Sequence, residues 1–257
     1  MNILADMIWV ELRKVLRSRV PMFTALGFLV MPMIAALLIF IYKDPELARK
    51  IGLLGAKANL IVKSADWPGY LTMLTEFTAM AGFFFFCLAI SWDFGREFTD
   101  GTLKDLLAVP VERFEILLAK FIVVALWCLV LILETYVTGM LMGAAIRLPG
   151  GSVEVFGQGA GMLAVASLMA LALVTPFAFF ASLGRGYLLP IGIAILTAIL
   201  GNLAATLGWG EYFPWSVPGL IVQGGPLPPI SIMLVVLTGA AGVAGTYLWW
   251  KYADQNR

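Results

Sequence analysis

Residues 20–42 read VPMFTALGFLVMPMIAALLIFIY, without a charged side chain. At a helical rise of about 1.5 Å per residue, this run is long enough to cross a hydrocarbon layer about 30 Å thick. Pro32 lies inside it and predicts a kink, tolerable where neighbouring helices satisfy the freed carbonyl. The rest of the chain repeats the pattern. Hydrophobic residues make up 61% and charged residues 13%, against roughly a quarter charged in soluble domains. A globule of this size has too little interior to hide that much apolar surface.

Working outward, residues 2–19 read as an amphipathic interfacial helix. Leu4, Ile8, Trp9, Leu12, Val15 and Leu16 share one arc, with Asn2, Asp6, Arg13 and Arg17 opposite. Val10 and Glu11 break that pattern. The first twenty residues are too mixed for a cleavable signal. After the first span comes a polar interval, 43–68, in which Leu47, Ile51, Leu54, Ala58 and Ile61 recur at helical spacing and predict a short surface helix. Further spans are predicted at 70–92, 121–146, 155–183, 187–207 and 230–250. The link Gly184-Arg185-Gly186 makes the fourth and fifth a hairpin. Residues 209–229 carry Pro214, Pro218, Pro226, Pro228 and Pro229, which forbid a continuous helix. This reads as a broken re-entrant or interfacial element, with Trp209, Tyr212, Phe213 and Trp215 at headgroup level. Trp249, Trp250 and Tyr252 read as an aromatic belt closing the sixth span. The expected fold is an all-α polytopic membrane protein of six spans, forming one domain over residues 1–257.

Eleven lysines and arginines fall on the side of the N-terminus if that terminus is inside, and six on the other. This predicts cytoplasmic termini, with the five basic residues of the first outer loop as the chief exception. The net charge of +1 gives no case for nucleic acid. With no histidine, Ser-His and Cys-His catalysis and the usual zinc sites are excluded. Cys87 and Cys128 both sit in apolar runs, so neither a disulfide framework nor a metal site is expected.

One polar interval is organised. Residues 92–120 read WDFGREFTDGTLKDLLAVPVERFEILLAK. Gly101 can supply a bend with φ > 0, and Thr102 is a plausible N-cap for a helix over 103–108. Pro110 stops that helix, and 111–120 starts another that runs into the third span. The result is a stiff elbow between two spans, polar on one face and with Leu103, Leu106 and Leu107 on the other.

This interval resembles the first cytoplasmic loop of ABC type-2 exporter permeases, which includes the bacterial multidrug, antibiotic and lantibiotic-immunity permeases. The matching positions are Glu97, Gly101-Thr102, Leu103, Leu106, Leu107, Pro110-Val111, Arg113 and Ile116-Leu117-Leu118-Ala119-Lys120. The resemblance implies a cytoplasmic coupling helix that docks on a separate ATP-binding subunit, and a second permease copy or a homologous permease. It implies a bacterial cell-membrane protein that exports hydrophobic or amphipathic compounds and is itself non-catalytic. No G-x-x-x-x-G-K-[ST] loop occurs in the chain, so the chain binds no ATP of its own and no cofactor is expected; ATP belongs to the partner.

Blander readings stand beside these. Glu97 contacts the partner, holds the elbow's geometry, or is a solvated acid. Arg113 pairs with Glu97, with the partner, or with anionic headgroups. Glu134, deepest of the charges, lines the pathway, or is a protonated acid bonded to a neighbouring helix through Thr135 or Thr138. Glu76 is a second, weaker pathway candidate. Gly139 and Gly143, and Gly239, Gly242 and Gly245, permit close helix approach inside one bundle or at a dimer seam. Phe83–Phe86 face lipid, core or a hydrophobic path. The rival functions are a stand-alone secondary transporter, an intramembrane enzyme and a membrane scaffold.

Overall fold

A computed structural model describes residues 3–44, 64–225 and 227–252. The surface helix expected within 43–68 lies mostly outside the described residues. The described residues form helices α1 (Ile3–Arg17), α2 (Val20–Lys43), α3 (Trp67–Phe77), α4 (Phe83–Thr99), α5 (Leu103–Ala108), α6 (Arg113–Ala145), α7 (Val153–Leu183), α8 (Leu188–Thr206), α9 (Val217–Val222) and α10 (Pro229–Tyr252). No strand occurs among them. A π-helical turn, Thr78–Gly82, joins α3 to α4. Among the described residues, six helical stretches are long and apolar enough to cross a membrane: α2, the continuous α3–α4 rod, α6, α7, α8 and α10.

The helical rods extend past their apolar runs. The α3–α4 rod continues to Thr99, and α6 begins at Arg113. Only residues 100–112, with α5 among them, interrupt the two rods. The helix α2 continues through Pro32, and the Tyr70 hydroxyl donates to the Pro32 carbonyl at 3.3 Å.

The glycines pack within this one chain. A Cβ added at Gly139 falls 2.5 Å from Leu74, and one at Gly143 falls 2.5 Å from the Trp67 ring, both on α3. On α10, a Cβ at Gly239 falls 3.1 Å from the Ala172 carbonyl oxygen of α7. The pair α7 and α10 is the most extensive helix contact in the fold. Pro176 of α7 has no N–H for the Ala172 carbonyl. The Thr175 hydroxyl reaches that carbonyl at 2.9 Å and the Gly239 carbonyl at 2.8 Å.

Two aromatic expectations change. Trp250 is 1% exposed, and its indole N–H donates to the Ser182 hydroxyl at 2.9 Å. It is core rather than belt, whereas Tyr252 is exposed. In the proline-rich segment, which folds into 3₁₀ turns Gly210–Tyr212 and Pro214–Ser216 followed by α9, Trp209 and Tyr212 are exposed. Trp215 instead turns inward and donates to the Leu173 carbonyl at 3.2 Å. In both corrections a polar N–H found a partner inside the bundle, which composition alone does not reveal.

Candidate functional site

The elbow is built from three local choices. Asp100 closes α4, its N–H bonding back to the Arg96 carbonyl at 2.8 Å. Gly101 follows with φ +70°, and an added Cβ would meet no atom within 4 Å. The obstacle to a side chain there is therefore the backbone conformation and not crowding. A Gly101→Val variant is expected to lose about 1–2 kcal/mol through left-handed strain, read as a lower melting temperature in detergent. Gly101→Asn, which tolerates that conformation, should lie close to wild type.

Thr102 stands at the N-cap position of α5, but its hydroxyl does not cap the helix. It donates instead to Glu97 Oε2 at 2.6 Å. Leu103 is buried in the main core and Leu106 packs half-buried against it, while the side chain of Leu107 is outside the described set. Lys104, Asp105, Val109, Pro110, Glu112 and Arg113 are exposed. The elbow thus presents a solvent-facing rim on a leucine-anchored base.

Beneath it lies a buried ion cluster. Lys120 is 0% exposed, and its three ammonium donors are all used. Nζ donates to Glu11 Oε2 at 3.0 Å, Glu97 Oε1 at 3.0 Å and the Asp93 carbonyl at 3.1 Å. Lys14 Nζ reaches the other Glu11 oxygen at 2.8 Å and Glu97 Oε1 at 2.9 Å. The Asp93 carboxylate, also fully buried, is 3.7 Å from Lys120 Nζ and accepts no hydrogen bond from the described residues. Two lysines therefore face three carboxylates. Through them α1, α4 and α6 are joined, and Thr102 ties in α5. Glu11, read as a flaw in an interfacial helix, is the residue by which α1 enters the site. The outer flank of α1 carries exposed Trp9 and Leu16.

Of the predicted site residues, Glu97 and Thr102 join this cluster, while Leu103 is buried in the main hydrophobic core. Arg113 does not reach Glu97. Its guanidinium donates to the carbonyls of Trp250 and Lys251, at the end of α10. Reasoning from sequence gave Glu11, Lys14 and Asp93 no part in a site, and it met Lys120 only as the last residue of the matching motif, without a partner. The available signal was spacing: Glu11/Lys14 and Asp93/Glu97 stand three and four apart, each pair on one helix face.

The pathway candidates lie elsewhere. Glu76 and Glu134 are half-buried. The Thr138 hydroxyl bonds the Glu134 backbone carbonyl and that of Thr135, and Thr135 bonds Leu131. Neither threonine serves the Glu134 carboxylate, so the expected bond through them is not made. Between the π turn, α7, α8 and α9 is a cavity of about 170 Å³, lined by Met80, Phe83, Phe84, Trp215 and Gln223 among others, with no charged side chain. Phe86 is core.

A family model described as ABC-2 family transporter protein matches residues 7–201, a stretch that contains the whole ion cluster and the elbow. The chain belongs to the ABC-2 transporter family. It is accordingly a multi-pass transporter permease, and its first matched helix is α1, which supplies Glu11 and Lys14. Among curated relatives, this ABC-2 permease is 26% identical over 168 residues to a bacitracin transport permease protein of Bacillus licheniformis, covering 64% of this chain and 81% of that one. It is 27% identical over 181 residues to the uncharacterized protein YhcI of Bacillus subtilis strain 168, covering 62% of this chain and 58% of that one. No solved structure matches the permease.

Proposed function

We propose that this ABC-2 permease forms the membrane pathway of an ATP-driven exporter in a bacterial cytoplasmic membrane, with both termini cytoplasmic. A separate ATP-binding subunit docks on the exposed rim at 101–112, and a second permease, identical or homologous, completes the pathway. The observation that carries this reading is the wiring beneath the rim. A force on α5 reaches Glu97 through Thr102 at 2.6 Å, and Lys120 and Lys14 pass it to α6 and α1. Buried charge pairs are expensive to separate, about 3–5 kcal/mol when one partner is lost. Such a joint moves as a unit and does not shear. ATP-driven closure of the partner then tilts α4 and α6 together and switches which side the pathway opens to.

The substrate we assign is a hydrophobic or amphipathic compound, with a peptide antibiotic foremost. The uncharged cavity beside the π turn suits an apolar portion of such a molecule, and the B. licheniformis relative bears the name of a bacitracin transporter. Glu134, whose carboxylate has no partner among the described residues, is assigned to the pathway, where water or a second permease can solvate it.

The test is co-purification from membranes with the cognate ATP-binding subunit. Wild type should retain that subunit. Deletion of 101–108 should lose it, and Glu97→Lys, which places a third cation among Lys14 and Lys120, should lose most of it. A protein that transports without any ATP-binding partner would overturn the reading.

A further inference from the structure

The elbow has a second root, at its exit. Trp250 is almost fully buried at the C-terminal end of α10 and touches three other helices. Its ring meets Phe98 of α4 edge-on at 6.2 Å. Its indole N–H holds Ser182 at the end of α7. Its backbone carbonyl, with that of Lys251, accepts the Arg113 guanidinium from the first turn of α6. Beside this, Phe114 meets Tyr247 edge-on at 5.8 Å. The last carbonyls of a helix have no intrahelical donor and carry the negative end of its dipole. A guanidinium nitrogen that donates to both carbonyls is therefore a fitting clamp there.

Resting on the reading above, we propose that Arg113 and Trp250 form a latch that carries the elbow's motion into α10 and, through the close α7–α10 contact, into α7. Arg113 is then a positioning residue that acts inward on the permease's own last helix. It is not part of the surface that the ATP-binding subunit grips. The elbow drives two groups of helices by separate links: α1, α4 and α6 through the ion cluster, α7 and α10 through the latch.

Spin labels on the purified complex test this. One pair joins position 23, exposed on α2, to position 248, exposed on α10; the other joins position 23 to position 99, exposed at the end of α4. In wild type, ATP binding should shift both distances. In Arg113→Ala, the ATP-binding subunit should stay bound and hydrolyse ATP, and the 23–99 shift should persist while the 23–248 shift is lost. Arg113→Lys, which still donates to carbonyls, should restore the 23–248 shift. Trp250→Phe, which keeps the ring and loses the N–H to Ser182, should leave the 23–248 shift in place and show that the carbonyl clamp carries the motion. The proposal is overturned if Arg113→Ala releases the ATP-binding subunit, which would place Arg113 on the docking surface. It is overturned equally if the 23–248 shift survives Arg113→Ala. Failure of any ATP-binding subunit to bind wild type would instead defeat the exporter reading and is separately visible.

Discussion

Lys120→Ala should leave little folded permease in the membrane. The substitution removes the cation that serves Glu11, Glu97 and the Asp93 carbonyl at once. Lys14, a quarter exposed, is then the one ammonium left among three carboxylates in the cluster. Removing one partner of a buried pair typically costs about 3–5 kcal/mol, because the stranded charge keeps its desolvation penalty. That is comparable to the whole margin of many folded domains. The measurement is the melting temperature of the detergent-purified protein, together with labelling of a cysteine placed at Val15, which is buried in wild type. Loss of the cluster should expose position 15 as α1 swings away. The control is to remove the acids as well. Glu11→Gln, Asp93→Asn, Glu97→Gln and Lys120→Met together put neutral groups of similar shape in the cluster and should recover much of the stability. That quadruple variant should still fail to couple, because the link from Thr102 to α6 has gone. Wild-type melting of Lys120→Ala would show that water already reaches the cluster.

The same cluster marks where reading the sequence stopped. Six spans were legible because apolar runs such as 20–42 have one physical explanation. The bend at Gly101 was legible for the same kind of reason, since few residues adopt φ +70° without strain. Glu11 was opaque because a charge on an amphipathic helix usually marks its wet face, and its true partner, Lys120, stands 109 positions away. Thr102 was placed correctly at the start of α5 but assigned the wrong acceptor: Glu97, five residues back, competes with the helix's own N–H groups and carries a full charge. Arg113 had three candidate partners, and the structure gives it a fourth, a helix end made of backbone atoms that no side-chain inventory lists. Trp250 followed the statistics of aromatic belts until Ser182, 68 positions away, supplied an acceptor inside the bundle.

Glycine spacing also left open whether small residues serve the chain or a dimer, and here a graded set of substitutions decides. A Cβ at Gly242 falls 2.6 Å from Thr175 Oγ1 and 2.7 Å from Pro176 Cδ, and closer still to the Pro176 nitrogen. None of these atoms can retreat. The nitrogen is backbone, the Cδ is fixed in its ring, and the Thr175 hydroxyl is committed to the carbonyls of Ala172 and Gly239. At Gly239 the nearest atom is 3.1 Å away, and at Gly245 it is 4.0 Å away, which is ordinary contact. Alanine should therefore be costliest at 242, intermediate at 239 and nearly neutral at 245. Overpacking costs typically about 1–3 kcal/mol, and Gly242→Ala is expected at or beyond the top of that range, because relief requires α7 and α10 to part. Thermal melting of the three variants gives the order directly. Parting the helices also strains the Trp250–Ser182 bond at their shared end. A neutral Gly242→Ala would mean that α7 and α10 slide freely, and the elbow would then have no rigid pair to move.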